Sequence, residues 1–119
     1  MNALKSFSDR DYLTASDEFS RMSIEDLYNY SVAEIYIESV AQKGETEQAI
    51  KLGQKLVNFP QASVDTYLEQ ARVLEQFAMN KEAAMSVYQK AITRNPSSEQ
   101  KDWLKRKIEF LKTNKIGAL

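Results

Sequence analysis

Residues 49–57, AIKLGQKLV, align on residues 84–92, AMSVYQKAI, with a constant offset of 35 residues. Apolar residues recur at almost every apolar position, and the Gln54-Lys55 pair recurs unchanged as Gln89-Lys90. A repeat of this period is typical of an array of stacked helices, in which each unit contacts only its neighbours and the array presents an extended surface. The sequence therefore predicts an architecture and a class of function, but it does not identify a partner.

A weaker third copy lies upstream, at an offset of 34 residues. Its apolar positions Ala15, Phe19 and Met22 align on Ala49, Gly53 and Leu56. The helix that carries them would be the second of a hairpin, whose first helix would have to lie within residues 1–8. We therefore expect residues 9–22 to form a half-repeat, and we expect the chain to begin inside a longer array.

Composition is that of one globular domain. The chain has 119 residues, of which 43% are hydrophobic and 28% charged, and no uncharged apolar run approaches the ~18 residues of a membrane span. We expect a soluble protein, cytoplasmic or periplasmic. The sequence contains no Cys and no His, which excludes disulfides, zinc sites built on these residues and imidazole catalysis. Residues 1–60 carry six basic and ten acidic side chains, whereas residues 61–119 carry ten and seven.

Capping and breaking residues divide the chain into helices. Pro60 and Pro96 each follow an amphipathic run, and Gly44 is a natural C-cap. Short polar residues suited to N-caps precede five helices, at Ser8, Ser23, Ser63, Asn80 and Ser97. We predict an all-α chain with about six helices, at residues 9–22, 24–43, 45–57, 63–78, 80–94 and 98–113. The short connections predict antiparallel hairpins.

The pattern resembles the tetratricopeptide repeat (TPR), a helix-turn-helix unit of about 34 residues. Residues 63–96 match best, at the family's aromatic, small and terminating positions Tyr67, Ala71, Leu74, Ala84, Tyr88, Ala91 and Pro96. Residues 24–60 match less closely, because the first helix is about one turn too long and Gly53 replaces an aromatic residue. Residues 98–113 resemble the helix that closes such arrays, and residues 114–119 follow as a tail. The resemblance implies a single domain of stacked hairpins forming a right-handed superhelix.

The resemblance further implies that the first helix of each hairpin lines a concave groove. A mostly acidic set would lie there: Tyr30, Glu34, Ile37, Glu38, Glu69, Arg72, Glu75 and Gln76. Such a surface would suit a basic or amphipathic protein segment, because opposite charge steers encounter and apolar anchors supply affinity. The alternative is that these side chains only solvate helix faces. We expect a non-enzymatic adaptor or scaffold domain without cofactor, metal or catalytic residues.

Three further interpretations stay open. The last helix combines basic and aromatic side chains that could bind RNA, another polyanion or a membrane surface: Lys101, Lys105, Arg106, Lys107, Lys112, Trp103 and Phe110. Its Leu104, Ile108 and Leu111 stripe instead favours a capping helix docked on its neighbour. The chain could also be an accessory domain of a larger enzyme or membrane protein. An uncovered apolar face on the N-terminal half-repeat could mediate self-association.

Overall fold

The computed structural model describes residues 2–117, and the side chains of residues 2–113. Eight helices follow one another in this part of the chain: α1 (Asn2–Ser8), α2 (Tyr12–Ser20), α3 (Ile24–Asn29), α4 (Ala33–Gln42), α5 (Thr46–Val57), α6 (Val64–Gln76), α7 (Lys81–Ile92) and α8 (Ser98–Gly117). The same residues contain no strand. The predicted all-α class is therefore confirmed, whereas the predicted count of about six helices is wrong.

The first additional helix is α1, in the residues that precede the predicted half-repeat. It packs on α2, with Ala3 buried and the rings of Phe7 and Tyr12 in edge contact at 5.6 Å. The predicted helix 9–22 accordingly starts later, because Asp11 caps α2 by accepting a hydrogen bond from the Thr14 backbone N–H at 3.2 Å. The upstream copy is thus a hairpin with a short first helix.

The second additional helix results from a break in the predicted helix 24–43. Ser31 adopts a left-handed conformation, with φ of 58°, and separates α3 from α4. Leu27 and Val32 flank the break and are 2% and 1% exposed. On a continuous helix, residues five apart point about 140° away from each other. Both side chains enter the core, one on each side of the break that separates α3 from α4.

The turn inside each hairpin has the same backbone form three times. Arg10, Gly44 and Met79 adopt positive φ angles of 63°, 95° and 55°, at spacings of 34 and 35 residues. This left-handed residue is a common way to end a helix. The next helices, α2, α5 and α7, each begin two residues later. The period found in the apolar residues is therefore also present in the backbone.

The small residues of the repeat lie where helices meet. Ala15, Ala49 and Ala84 are all 0% exposed, as expected if they permit close approach between helices. Gly53 meets a similar need, because a Cβ added to it would lie 2.9 Å from Cγ of Gln70 on α6. The close approach of α5 to α6 explains why no aromatic side chain occupies this position.

Buried side chains form two clusters along the array. One draws mainly on α1 to α5 and the other on α6 to α8, and Ile50 packs against both. Leu104, Ile108 and Leu111 are buried in the second cluster, so the predicted docking of the last helix is confirmed. This helix continues to Gly117, past its predicted end, and residues 118–119 of the predicted tail lie outside the described residues. Docking of α8 leaves Trp103 at the edge of the core.

Candidate functional site

An open cleft of about 530 Å³ runs along α6. We call it the α6 cleft. Helix α6 provides half of its lining residues, and α4, α7 and α8 provide the other half. The lining residues are Glu34, Asp65, Leu68, Glu69, Arg72, Gln76, Tyr88, Gln100, Trp103 and Lys107.

Helical periodicity explains why α6 presents these side chains together. The spacing from Asp65 through Leu68, Glu69 and Arg72 to Gln76 follows steps of three and four residues, which lie on one helix face. The opposite face is buried and mostly apolar, with Val64, Ala71, Val73 and Leu74, and it also includes the buried polar residues Thr66 and Gln70. One helix therefore supplies both core packing and the floor of the cleft.

Two side-chain contacts hold α8 beside α6. Gln100 Nε2 donates a hydrogen bond to Asp65 Oδ1 at 3.3 Å, and Lys107 Nζ donates to Glu75 Oε2 at 2.7 Å. Residue numbers increase in the same direction along both helices, so α6 and α8 run parallel. Trp103 lies between these two contacts along α8 and lines the cleft.

Arg72 connects α4 to α6 by ion pairs with two carboxylates. Its guanidinium pairs with Glu38 of α4, and its Nη2 lies 2.5 Å from Glu69 Oε2. Its Nη1 also donates to Gln76 Oε1 at 3.2 Å. Burial lowers the pKa of Arg72, but a guanidinium stays charged at any physiological pH. Arg72 is therefore an internal crosslink, and its charge is already shared between two anions.

The carboxylates near the start of α6 have fewer cationic partners. Within the part of the chain that the structure describes, Glu34 and Asp65 form no ion pair. Burial raises the pKa of Glu34, and the charge of Asp65 adds to the increase. Burial also raises the pKa of Glu69 to about 7, with a contribution from Glu34. Desolvation and mutual repulsion both disfavour the charged carboxylates, so a cation placed here would relieve them.

An aromatic pair forms the wall opposite these acids. The rings of Tyr88 and Trp103 meet edge to face, with centroids 5.7 Å apart. Tyr88 is buried, and its hydroxyl donates to Glu75 Oε1 at 2.9 Å. Burial and this hydrogen bond both raise the pKa of the Tyr88 hydroxyl. Trp103 is 44% exposed, so a fixed tyrosine supports one side of the indole while much of the ring stays accessible.

The structure brings together only part of the predicted groove. Glu34, Glu69, Arg72 and Gln76 line the cleft, while Glu38 and Glu75 lie just outside it and pair with Arg72 and Lys107. Ile37 is 0% exposed and belongs to the core instead. Tyr30 is 63% exposed at the end of α3 and does not line the cleft.

Sequence reasoning missed the contribution of α8, above all that of Trp103. A usable signal was present, because Trp103 directly precedes the Leu104, Ile108 and Leu111 stripe. Adjacent residues on a helix point about 100° apart. Trp103 therefore lies to one side of the stripe that Leu104 begins, and this position allowed an accessible ring.

No family model, curated protein or solved structure matches this chain. Across the described residues, no group of three or more acidic side chains is arranged to hold a metal ion. None of the helices there is long and apolar enough to cross a membrane. The candidate site is thus a cleft with an acidic end and an aromatic wall, and its chemistry suits binding of a cationic or amphipathic group.

Proposed function

We propose that this chain is a non-enzymatic protein-interaction domain that binds a basic or amphipathic segment of a partner in the α6 cleft. One observation carries the proposal: a half-exposed Trp103 lines the same open cleft as Glu34 and Asp65, two carboxylates that form no ion pair with another described residue. Tryptophan is enriched among the residues that dominate binding energy in interfaces, and carboxylates beside it favour a partner of opposite charge. The bound segment can belong to a separate protein or to another part of a larger assembly.

We further propose that the helices form a TPR-like superhelix with the cleft on its concave side. The recurring turns at Arg10, Gly44 and Met79 support this proposal, as do the packing of α4 on α6 and of α5 on α6. In this arrangement α4 and α6 are the first helices of successive hairpins. Their acidic side chains would then line the groove, as the resemblance implies.

The size of the cleft is consistent with this role. A volume of about 530 Å³ falls within the range of pockets that enclose small ligands. It can accept one or two side chains of a docking segment. A few well-placed side chains carry most of the affinity in protein interfaces, so a cleft of this size is sufficient for recognition.

Site-directed crosslinking tests the proposal. Gln76 lines the cleft and is exposed, so a photoreactive residue placed there should crosslink to a bound partner in native lysate. Glu34→Lys should abolish the crosslinked species, because it reverses an unpaired charge in the cleft. Glu47→Lys is the matched control, since Glu34 and Glu47 both lie in the first turn of their helices. Crosslinking that survives both Glu34→Lys and Trp103→Ala contradicts the proposal.

The choice of Glu34 follows from the ion pairs. Replacing Glu38 or Glu69 would also remove a partner of Arg72 and would disturb the contact between α4 and α6. Loss of binding in such variants could reflect altered packing. Glu34 holds no ion pair within the described part of the chain, so its replacement changes the cleft charge with less effect on the fold.

A second candidate function is polyanion binding by the outer face of α8. Four basic side chains are exposed there and form no ion pair with another described residue: Lys101, Lys105, Arg106 and Lys112. Acidic residues Glu99, Asp102 and Glu109 alternate with them and reduce the local positive charge. If the face binds RNA, affinity should fall steeply with salt and with neutralisation of Lys105 and Arg106. Absence of salt-dependent binding excludes this function.

A further inference from the structure

We infer that the α6 cleft recognises one lysine or arginine side chain of the partner, with its cationic group at the Glu34 and Asp65 end and its aliphatic stem along Trp103. The inference rests on the proposed function and specifies the chemistry of the bound segment. It commits to a basic side chain carried by a protein, and not to an apolar helix face or a free amine.

The charged groups in and beside the cleft establish the sign of the ligand's charge. Five carboxylates surround it, namely Glu34, Asp65 and Glu69 in the lining and Glu38 and Glu75 paired with lining residues. Among the described residues that line the cleft or pair with its lining, the cations are Arg72 and Lys107. The cleft and its immediate surroundings therefore carry three more acidic than basic groups. A ligand of positive charge complements this excess.

The placement of the pairs establishes where the cation binds. Arg72 and Lys107 each contact a carboxylate already, so the end of the cleft near Arg72 and Lys107 is largely neutralised. Glu34 and Asp65 lie in the first turns of α4 and α6, at the opposite end. Their charges also interact with the helix dipoles, but this interaction does not neutralise them towards the cleft. The attraction for a cation is therefore greatest at this end.

The aromatic wall favours a cation with an apolar stem. Lysine and arginine side chains bury their methylene groups along apolar surface while the charged group reaches polar partners. Leu68 and Trp103 provide apolar surface in the same lining as Glu34 and Asp65. The accessible indole can also attract the cation through its ring. A small inorganic cation would contact only the carboxylates and would not contact the apolar surface of Leu68 and Trp103.

A random peptide display selection on the folded protein tests the inference. Trp103 is the single tryptophan in the sequence, so its fluorescence reports binding of each selected peptide at the cleft. We expect selected peptides to share one lysine or arginine position. Replacing that residue by norleucine, which keeps the stem and removes the charge, should weaken binding by at least about tenfold. Glu34→Gln should do the same, and Glu47→Gln should leave affinity unchanged.

The outcomes separate this inference from the proposed function. Selected peptides that need no basic residue, yet lose binding in Trp103→Ala when binding is measured by calorimetry, overturn the inference and leave the interaction domain intact. Failure to select any peptide that depends on the cleft overturns both. Displacement of the peptides by micromolar spermidine would show that a free amine suffices, which also overturns the inference. Circular dichroism and urea unfolding establish that each variant is folded before its affinity is interpreted.

Discussion

Gly53 of α5 lies directly against the side chain of Gln70 on α6. A Cβ built on Gly53 would be 2.9 Å from Gln70 Cγ and 3.3 Å from Gln70 Cβ. Gln70 is only 4% exposed, so its side chain has little room to move. We expect Gly53→Ala to destabilise the protein by about 1–3 kcal/mol through overpacking, even though alanine favours a helix by about 1 kcal/mol relative to glycine. Urea unfolding measures the change.

A double-mutant cycle provides the control for this contact. Gln70→Ala removes the Cγ atom that an added methyl group would meet, so Gly53→Ala should cost clearly less in the Gln70→Ala background. Two residues in contact are expected to be energetically coupled, unlike distant ones. Equal costs of Gly53→Ala in both backgrounds would show that the close approach does not determine the choice of glycine.

The ion pairs of Arg72 predict a second stability effect. Arg72→Met keeps a long side chain but leaves Glu38 and Glu69 without their shared cation. Their side chains are only 14% and 15% exposed, so an uncompensated charge is costly, above all on Glu38, because Glu69 has a pKa of about 7 and can take up a proton instead. We expect a loss of about 2–3 kcal/mol in the free energy of unfolding at neutral pH, somewhat less than for a fully buried pair. The deficit should shrink in acid, as the two carboxylates become protonated.

An exposed ion pair provides the comparison for Arg72. Arg21 pairs with Asp17 at 2.8 Å, but both side chains are more than half exposed. Pairs of this kind contribute little to stability because solvent screens them. Arg21→Met should therefore leave the unfolding midpoint nearly unchanged. If both substitutions have the same effect, the crosslink between α4 and α6 does not stabilise the array.

The raised pKa of Glu69 predicts how stability varies with pH. Its folded pKa of about 7 exceeds its ordinary value of 4.5, so the native state binds this proton more tightly than the unfolded chain. The contribution of Glu69 to stability is then largest below about pH 4.5 and is lost as pH rises through 7.

Urea unfolding across the pH range from about 4.5 to about 8 tests this assignment. Relative to the Glu69→Gln variant, which cannot titrate at this position, the wild-type protein should lose stability over that interval. Glu34→Gln should lower the pKa of Glu69 in a carboxyl NMR titration, because it removes one of the two causes of the increase. A constant difference between wild type and Glu69→Gln at all pH values would contradict the raised pKa.

The sequence alone predicted the structure correctly where capping rules and side-chain packing favour the same result. The N-caps at Ser23, Ser63 and Asn80 and the buried stripe on α8 follow from residue type and spacing alone, and the structure confirms them. The break at Ser31 could not be found in this way, because neither glycine nor proline marks it. The break accompanies the burial of Leu27 and Val32 on its two sides, which is a tertiary contact that no local rule predicts.

Only part of the candidate site could be predicted from the sequence, because tertiary packing also determines which side chains reach the cleft. Residues of α4 and α6 were identified because the resemblance assigned whole helices to one face. That assignment also included Ile37, which the chain uses for its core. Trp103 and Lys107 enter the cleft because α8 runs parallel to α6 and contacts Asp65 and Glu75. The sequence predicts those helices, but it does not show which of their faces line the same cleft.

The left-handed residue that recurs in the hairpin turns supports a last prediction. Substitution should lower stability at Gly44 and raise it at the equivalent position, Met79. Gly44 has φ of 95°, and a Cβ added there would meet nothing within 4 Å, so Gly44→Ala acts through the backbone alone. A left-handed conformation costs a non-glycine residue about 1–2 kcal/mol, and we expect a loss of about 1 kcal/mol.

Met79 occupies the same place with φ of 55° and a side chain 77% exposed. Met79→Gly relieves this strain, but it also gives the unfolded chain more conformational freedom. The net result should be a gain of up to about 1 kcal/mol. Met79→Ala is the matched control, since it removes the side chain while keeping the strained backbone, and it should give no gain. Thermal unfolding of the three variants tests this prediction: greater destabilisation by Met79→Gly than by Met79→Ala would mean that the added freedom of the unfolded chain outweighs the backbone strain relieved at this turn.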